Sequence, residues 1–178
     1  MNDAAITHLF PTLLGERFHA LPAQVQALHR RVGTQHLHGE VEVVRGPGWL
    51  SRLCARATRL PPAGRGPIEV EIVANAAGER WTRRIAGHAM RSRLWADGGL
   101  LRERLGLVTF GFRLKVENDA IVWRVVQVSA LGVPLPAAWF AGVSAREFGQ
   151  EDRYCFDVAA ALPWAGLLVR YRGWLHVD

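Results

Sequence analysis

The sequence predicts an α+β chain that is mainly β: a curved antiparallel sheet, barrel or half-barrel, of about eight or nine strands, behind two or three N-terminal helices. Three observations carry this expectation. Apolar residues recur at helical spacing in most of the first sixty positions, alternate two by two from position 68 onward, and the alternating runs are separated by short Gly, Asn and Asp turns. The chain of 178 residues reads as one domain, 1–178, with 1–62 largely helical around one strand and 63–178 antiparallel β.

Leu9, Phe10, Leu13, Leu14 and Phe18 recur at helical spacing, and Pro22 begins a second stretch carrying Val25, Leu28 and Val32, which Gly33 ends. Residues 36–44 alternate as a half-buried strand with Leu37, Val41 and Val43 on one side, until Gly46-Pro47-Gly48 breaks it. Residues 49–60 place Trp49, Leu50, Leu53, Cys54, Ala57 and Leu60 on one helical face and Arg52, Arg56 and Arg59 on the other, and Pro61-Pro62 stop that helix. Eight further runs read as strands: 68–74, 79–86, 89–96, 100–105, 107–116, 121–131, 153–162 and 167–175. Asp97-Gly98-Gly99 and Glu117-Asn118-Asp119 are turn sequences. Connections this short make sequential strands antiparallel, and so many of them curl into a barrel, half-barrel or sandwich.

Composition narrows the function. Apolar residues are 49% and charged residues 21% of the chain, which is globular composition. The basic residues outnumber the acidic by six and are all Arg except Lys115, a skew that reflects coding bias more than selection for anions. Cys54 and Cys155 are too few for a disulfide framework or a Cys-based zinc site and suit a cytoplasmic location. Residues 125–145 are free of charge, yet Gln127, Gly132, Pro134, Pro136 and Gly142 read as strand, loop and short helix rather than as a membrane span. No phosphate loop, nucleophile elbow or HExxH motif is present, so hydrolase and kinase chemistry have no foothold.

His36 and His38 alternate with Glu40 on one strand face, a metal-like spacing with no fourth ligand in view; a solvated face carrying His36, His38, Glu40 and Glu42 is the preferred reading, and neither metal nor cofactor is expected. Residues 78–95 mix Trp81 and Trp95 with five arginines, as a single-stranded nucleic-acid platform would. A two-sided strand pair with both tryptophans in the core is preferred, and no nucleic acid is expected. More telling are polar residues on apolar strand faces: Arg83 between Trp81 and Ile85, Glu103 between Leu101 and Leu105, Arg124 between Val122 and Val126, and Tyr171 between Val169 and Gly173. A buried charge must be paired or bind something. An internal Arg–Glu pair closing a barrel end, or Arg stems reaching out to water, is the preferred reading of these four; the functional reading, and the one to test first, makes them the polar end of a ligand site with Trp81, Trp123 and Trp174 as wall.

The stretches 9–29, 78–94, 131–136 and 156–175, with GERWTRR and LVRYRGWL the most specific, resemble an uncharacterised bacterial family, the domain of unknown function numbered 4166. Members of that family stand alone or behind NAD(P)-binding domains similar to saccharopine dehydrogenases or nucleotide-sugar epimerases. The resemblance implies, by association, a place near redox or lipid metabolism and supplies no catalytic residue. The leading expectation is a non-catalytic module that binds an apolar or amphipathic small molecule inside the curved sheet and is accessory to an NAD(P)-binding oxidoreductase partner. One alternative is an enzyme using Glu103, or Glu71, as base with Arg83 steadying an oxyanion. The other is a domain docking on a protein or on a membrane surface through Arg52, Arg56 and Arg59.

Overall fold

The computed structural model describes residues 8–49 and 61–177. The expected helix at 49–60, with its arginines and Cys54, lies almost wholly outside those residues. Helix α1 (Leu9–Leu14), a 3-10 turn (Gly15–Ala20) and helix α2 (Ala23–Arg30) form one broken helical stretch. Pro22 precedes α2 and its carbonyl accepts from the amides of Val25 and Gln26. Helices this short are marginal alone and hold by burying Phe10, Phe18, Val25 and Leu28. The second helix ends earlier than its periodicity predicts, at Arg30; Val32 is exposed and Gly33, at φ +86°, opens the first strand.

Eleven strands follow, not eight or nine: β1 (Gly33–Arg45), β2 (Gly64–Asn75), β3 (Gly78–Ile85), β4 (His88–Asp97), β5 (Leu100–Leu105), β6 (Val108–Glu117), β7 (Ala120–Ala130), β8 (Val133–Leu135), β9 (Ser144–Gln150), β10 (Arg153–Leu162) and β11 (Gly166–Leu175). The alternation of 36–44 and of the eight later runs corresponds to nine of them. The two missed are β8, a three-residue strand interrupted by Pro134, and β9, whose Ala145/Glu147 alternation lacks a run of large apolar residues.

Ten strands close into an antiparallel barrel in the order β1-β2-β3-β4-β5-β6-β7-β9-β10-β11 and back to β1, while β8 adds to the far end of β7. Several hairpins carry positive φ at both central residues, as at Gly98-Gly99 and Asn118-Asp119, which matches the twist of the flanking strands. The ring closes where β1 meets β11. A Cβ on Gly39 would lie 1.8 Å from the carbonyl oxygen of Trp174, and one on Gly173 would lie 2.1 Å from that of Glu40. Only glycine lets the two backbones approach this closely. Gly39→Ala is therefore expected to cost about 3 kcal/mol, the upper end of overpacking penalties, read as a fall in thermal midpoint; an unchanged midpoint would show that the closure does not depend on this contact.

The helical stretch sits across one mouth of the barrel. That mouth is ringed by the β2–β3, β4–β5, β6–β7 and β9–β10 turns; α1 packs on β4 and β6, and α2 on β9 and β10. Phe10 enters the lumen, stacking on His29 at 3.6 Å between centroids and meeting Trp123 at 5.7 Å. Inward side chains in this half, among them Leu94, Leu101, Ile121 and Tyr154, are buried. The opposite mouth, ringed by the β3–β4, β5–β6, β7–β8 and β10–β11 turns, leaves Leu107, Leu131, Val133, Trp139 and Trp164 exposed at its rim. No described helix is long and apolar enough to cross a membrane; residues 125–145 are β7, β8 and a 3-10 turn (Ala137–Phe140).

Candidate functional site

Two polar clusters occupy the lumen. The first joins four of the expected residues, Arg83, Glu103, Tyr171 and Trp81. Arg83 on β3 projects inward, its Nη1 3.6 Å from Glu103 Oε1 on β5 and donating to Ser92 Oγ on β4 at 3.1 Å. The guanidinium also lies over the Trp81 ring, 4.7 Å from its centroid. Burial works against the Arg83 charge, but Tyr171, Glu103, Tyr154 and Glu147 around it outweigh that and hold the guanidinium above its ordinary value. Tyr171 on β11 faces the same group; burial raises its phenol, Arg83 pulls it back and Glu103 adds to the rise.

The second cluster is not legible in the sequence. His29, in the last turn of α2, places Nε2 2.6 Å from Glu147 Oε2 on β9, with side-chain exposures of 0% and 5%. An Nε2–H tautomer donates to this carboxylate and leaves Nδ1 as a bare acceptor, which has no partner among the described residues. Tyr154 on β10 is hydrogen-bonded to Glu147, and burial followed by the Glu147 charge pushes its phenol well up. Glu79, at the start of β3, accepts from Trp81 Nε1 at 2.7 Å. The one signal for His29 is its place four residues after Val25 on a buried helical face; Glu147 lies in the unrecognised strand β9.

Burial raises the Glu79 carboxyl, against a partial offset from His29 and the Trp81 hydrogen bond. An acid raised in the folded state contributes stability that is fully present below its unfolded value and lost as pH climbs through the folded one. Glu79→Gln keeps an acceptor for Trp81 and removes that loss. We expect its melting temperature to exceed the unsubstituted protein's at pH 8 and the gain to shrink as pH falls toward 4.5, the ordinary glutamate value. A gain that is independent of pH would refute the ionisation account.

The remaining candidates divide. Like Trp81, Trp123 is buried, in the plugged half against Phe10 and Phe112, its Nε1 without a partner among the described residues. Arg124 does not face the lumen: it is exposed and pairs with Glu117 at 3.1 Å. Both alternate sets on β7 are apolar, and Ile121, Trp123 and Val125 take the lumen, which leaves Arg124 outside; a bulge beyond it, where Phe112 faces Val125 but Gly111 faces Gln127, then moves the inward set to Val128. Trp174 is also outside, alternating with the inward Gly173 and Leu175 and lying under the Arg153 guanidinium at 4.3 Å. Trp95, expected in the core, is outside as well, beside Arg93. His36, His38, Glu40 and Glu42 are exposed on β1, and Glu71, with His36 Nδ1 at 3.9 Å, faces outward too. Among the described residues no group of three His, Cys, Asp or Glu is placed to hold a metal.

Fold and site together define a closed ten-stranded antiparallel β-barrel, plugged at one mouth by helices and carrying an Arg83–Glu103 ion pair and a His29–Glu147 hydrogen bond in its lumen. The chain belongs to the family described as domain of unknown function DUF4166, whose model matches residues 21–175. Among solved structures it is similar to Rv2717c from M. tuberculosis, at 12% identity and a TM-score of 0.45, over 89% of this chain and 99% of that one. No curated protein matches it.

Proposed function

We propose that the barrel binds an apolar or amphipathic small molecule in the half away from the helical plug, with its polar end at Arg83, Glu103 and Tyr171. One observation carries this reading. Most inward positions near the plug are buried, Leu114 and Val116 being exceptions, whereas Met90, Phe110, Val125, Ala145, Ala160 and Tyr171 farther along keep part of their surface accessible although they point into the barrel. Arg83 is enclosed by protein yet retains 13% of its side-chain surface. In the proposed arrangement these residues form the wall of the ligand site, entered from the rim where Trp139 and Trp164 are exposed, an apolar entrance suited to a greasy ligand. In the arrangement implied by the family resemblance, the module would present this molecule to an NAD(P)-binding oxidoreductase.

The test is native mass spectrometry of the protein after incubation with a bacterial lipid extract. A retained species is expected, and Ala160→Leu, which fills the recess, should lower retention about tenfold, the effect of roughly 1.4 kcal/mol. Absence of any retained species, or equal retention by the variant, would sink the proposal.

A further inference from the structure

The outer wall of β3, β4 and β5 carries a second, opposite kind of surface. Arg80 on β3 stands directly across from Arg93 on β4, which stands directly across from Arg104 on β5. Three guanidinium side chains therefore lie in one row across three adjacent strands, spaced by about 4.8 Å at the backbone. Arg91, one position along the same face of β4, stands beside the row. All four are exposed, and all four line an open depression of about 520 Å³ on the barrel wall.

Like charges directly opposite one another destabilise a sheet, and this row has nothing to offset them. Elsewhere on the barrel the exposed Arg65, Arg124, Arg170 and Arg172 each have a carboxylate within 3.2 Å, as does the less exposed Arg102, while Arg84, Arg113 and Arg146 are exposed without one among the described residues but form no row of three. Among the described residues none of Arg80, Arg91, Arg93 and Arg104 has one. Arg104 donates only to the Gly106 carbonyl, and Arg93 lies 5.8 Å from the centre of the Trp95 ring. The one carboxylate that lines the depression, Glu71, stands across Thr82 from Arg91 and has His36 3.9 Å away.

We infer that this row is a binding site for an elongated anion bearing two or more phosphates. A guanidinium presents paired N–H donors that match phosphate oxygens. A row of them across the strands suits a chain of phosphates better than one compact anion. The site lies on the outside of the barrel and is independent of the luminal reading above. The phosphate chain belongs either to a free inorganic oligophosphate or to the tail of a nucleotide.

The experiment is a thermal-shift and calorimetric titration of the full chain with tripolyphosphate and with ATP, against sodium sulfate and sodium chloride at matched ionic strength. Binding of tripolyphosphate, of ATP or of both, with a midpoint rise that the simple salts do not produce, is the expected result; the stronger of the two identifies the source of the phosphates. Arg93→Gln, in the middle of the row, should weaken binding about tenfold or more and also raise the midpoint in the absence of any anion, because it relieves the repulsion. Arg84→Gln, on the same strand as Arg80 but outside the depression, should leave binding unchanged. The inference is overturned if neither oligophosphate binds, if sulfate at equal ionic strength gives the same rise, if Arg93→Gln binds as the unsubstituted protein does, or if only a single-stranded oligonucleotide binds.

Discussion

Glu147→Ala is expected to destabilise the protein by about 3–5 kcal/mol, the cost of a cavity together with buried donors left without their carboxylate partner. For a chain of this length that is a fall of roughly 10 °C or more in melting temperature. The expectation rests on three local facts. The carboxylate is 5% exposed, its His29 partner is fully enclosed, and Tyr154 is hydrogen-bonded to the same group. Alanine would leave a cavity and strip both neighbours of their partner where no solvent replaces it. The contact also ties α2 to β9, so its loss loosens the helical plug on the barrel mouth. The double substitution His29→Phe/Glu147→Leu removes both polar groups and keeps an aromatic ring stacked on Phe10, so it should lose less than Glu147→Ala alone. Chemical denaturation followed by circular dichroism reads both. A loss below about 1 kcal/mol for the single variant would place the pair among weak surface contacts.

The second large effect is at Arg83. Arg83→Met keeps most of the apolar stem but leaves Glu103 buried without its 3.6 Å counter-charge, Ser92 Oγ without its donor, and the Trp81 face without its cation. The expected cost is again about 3–5 kcal/mol. Arg83→Met/Glu103→Leu should recover most of it, because the penalty is that of a stranded charge and not of a lost attraction. If the double variant is as unstable as the single one, the pair is not an isolated unit, and the wider ring of Tyr171, Tyr154 and Glu147 around the guanidinium carries the energy instead. The same double variant separates stability from binding: a folded barrel lacking the polar floor should keep its structure and lose retention of an amphipathic molecule.

How much of the site was legible follows from how inwardness is encoded. Arg83, Glu103 and Tyr171 sit in uninterrupted strands, so alternation with Trp81, Leu101 and Val169 placed each of them correctly inside. Arg124 alternates just as cleanly with Val122 and Val126, yet the other alternate set, Ile121, Trp123 and Val125, is equally apolar and is the one that faces the lumen. Trp174 misled in a different way: a large aromatic on a strand is as well served by an arginine above it on the outer wall as by the core. Glu79 shares the parity of Trp81, Arg83 and Ile85 but begins that run, with no apolar residue before it to mark it as inward, and Glu147 lies in a run too short to display a face.

The chain by itself determined nine of the eleven strands and their sense of pairing, because two-residue periodicity and turn residues with positive φ act within a few positions of one another. What the tertiary structure alone decided is closure and partnership. The β1–β11 seam, the step from β7 to β9 past β8, and the meeting of His29 with Glu147 across 118 positions depend on barrel curvature and on two glycines that admit close backbones. The row of Arg80, Arg93 and Arg104 is likewise a tertiary outcome, since its alignment is a matter of register between strands. Local hydrophobic patterning is blind to register between distant segments; packing in the closed ring sets it.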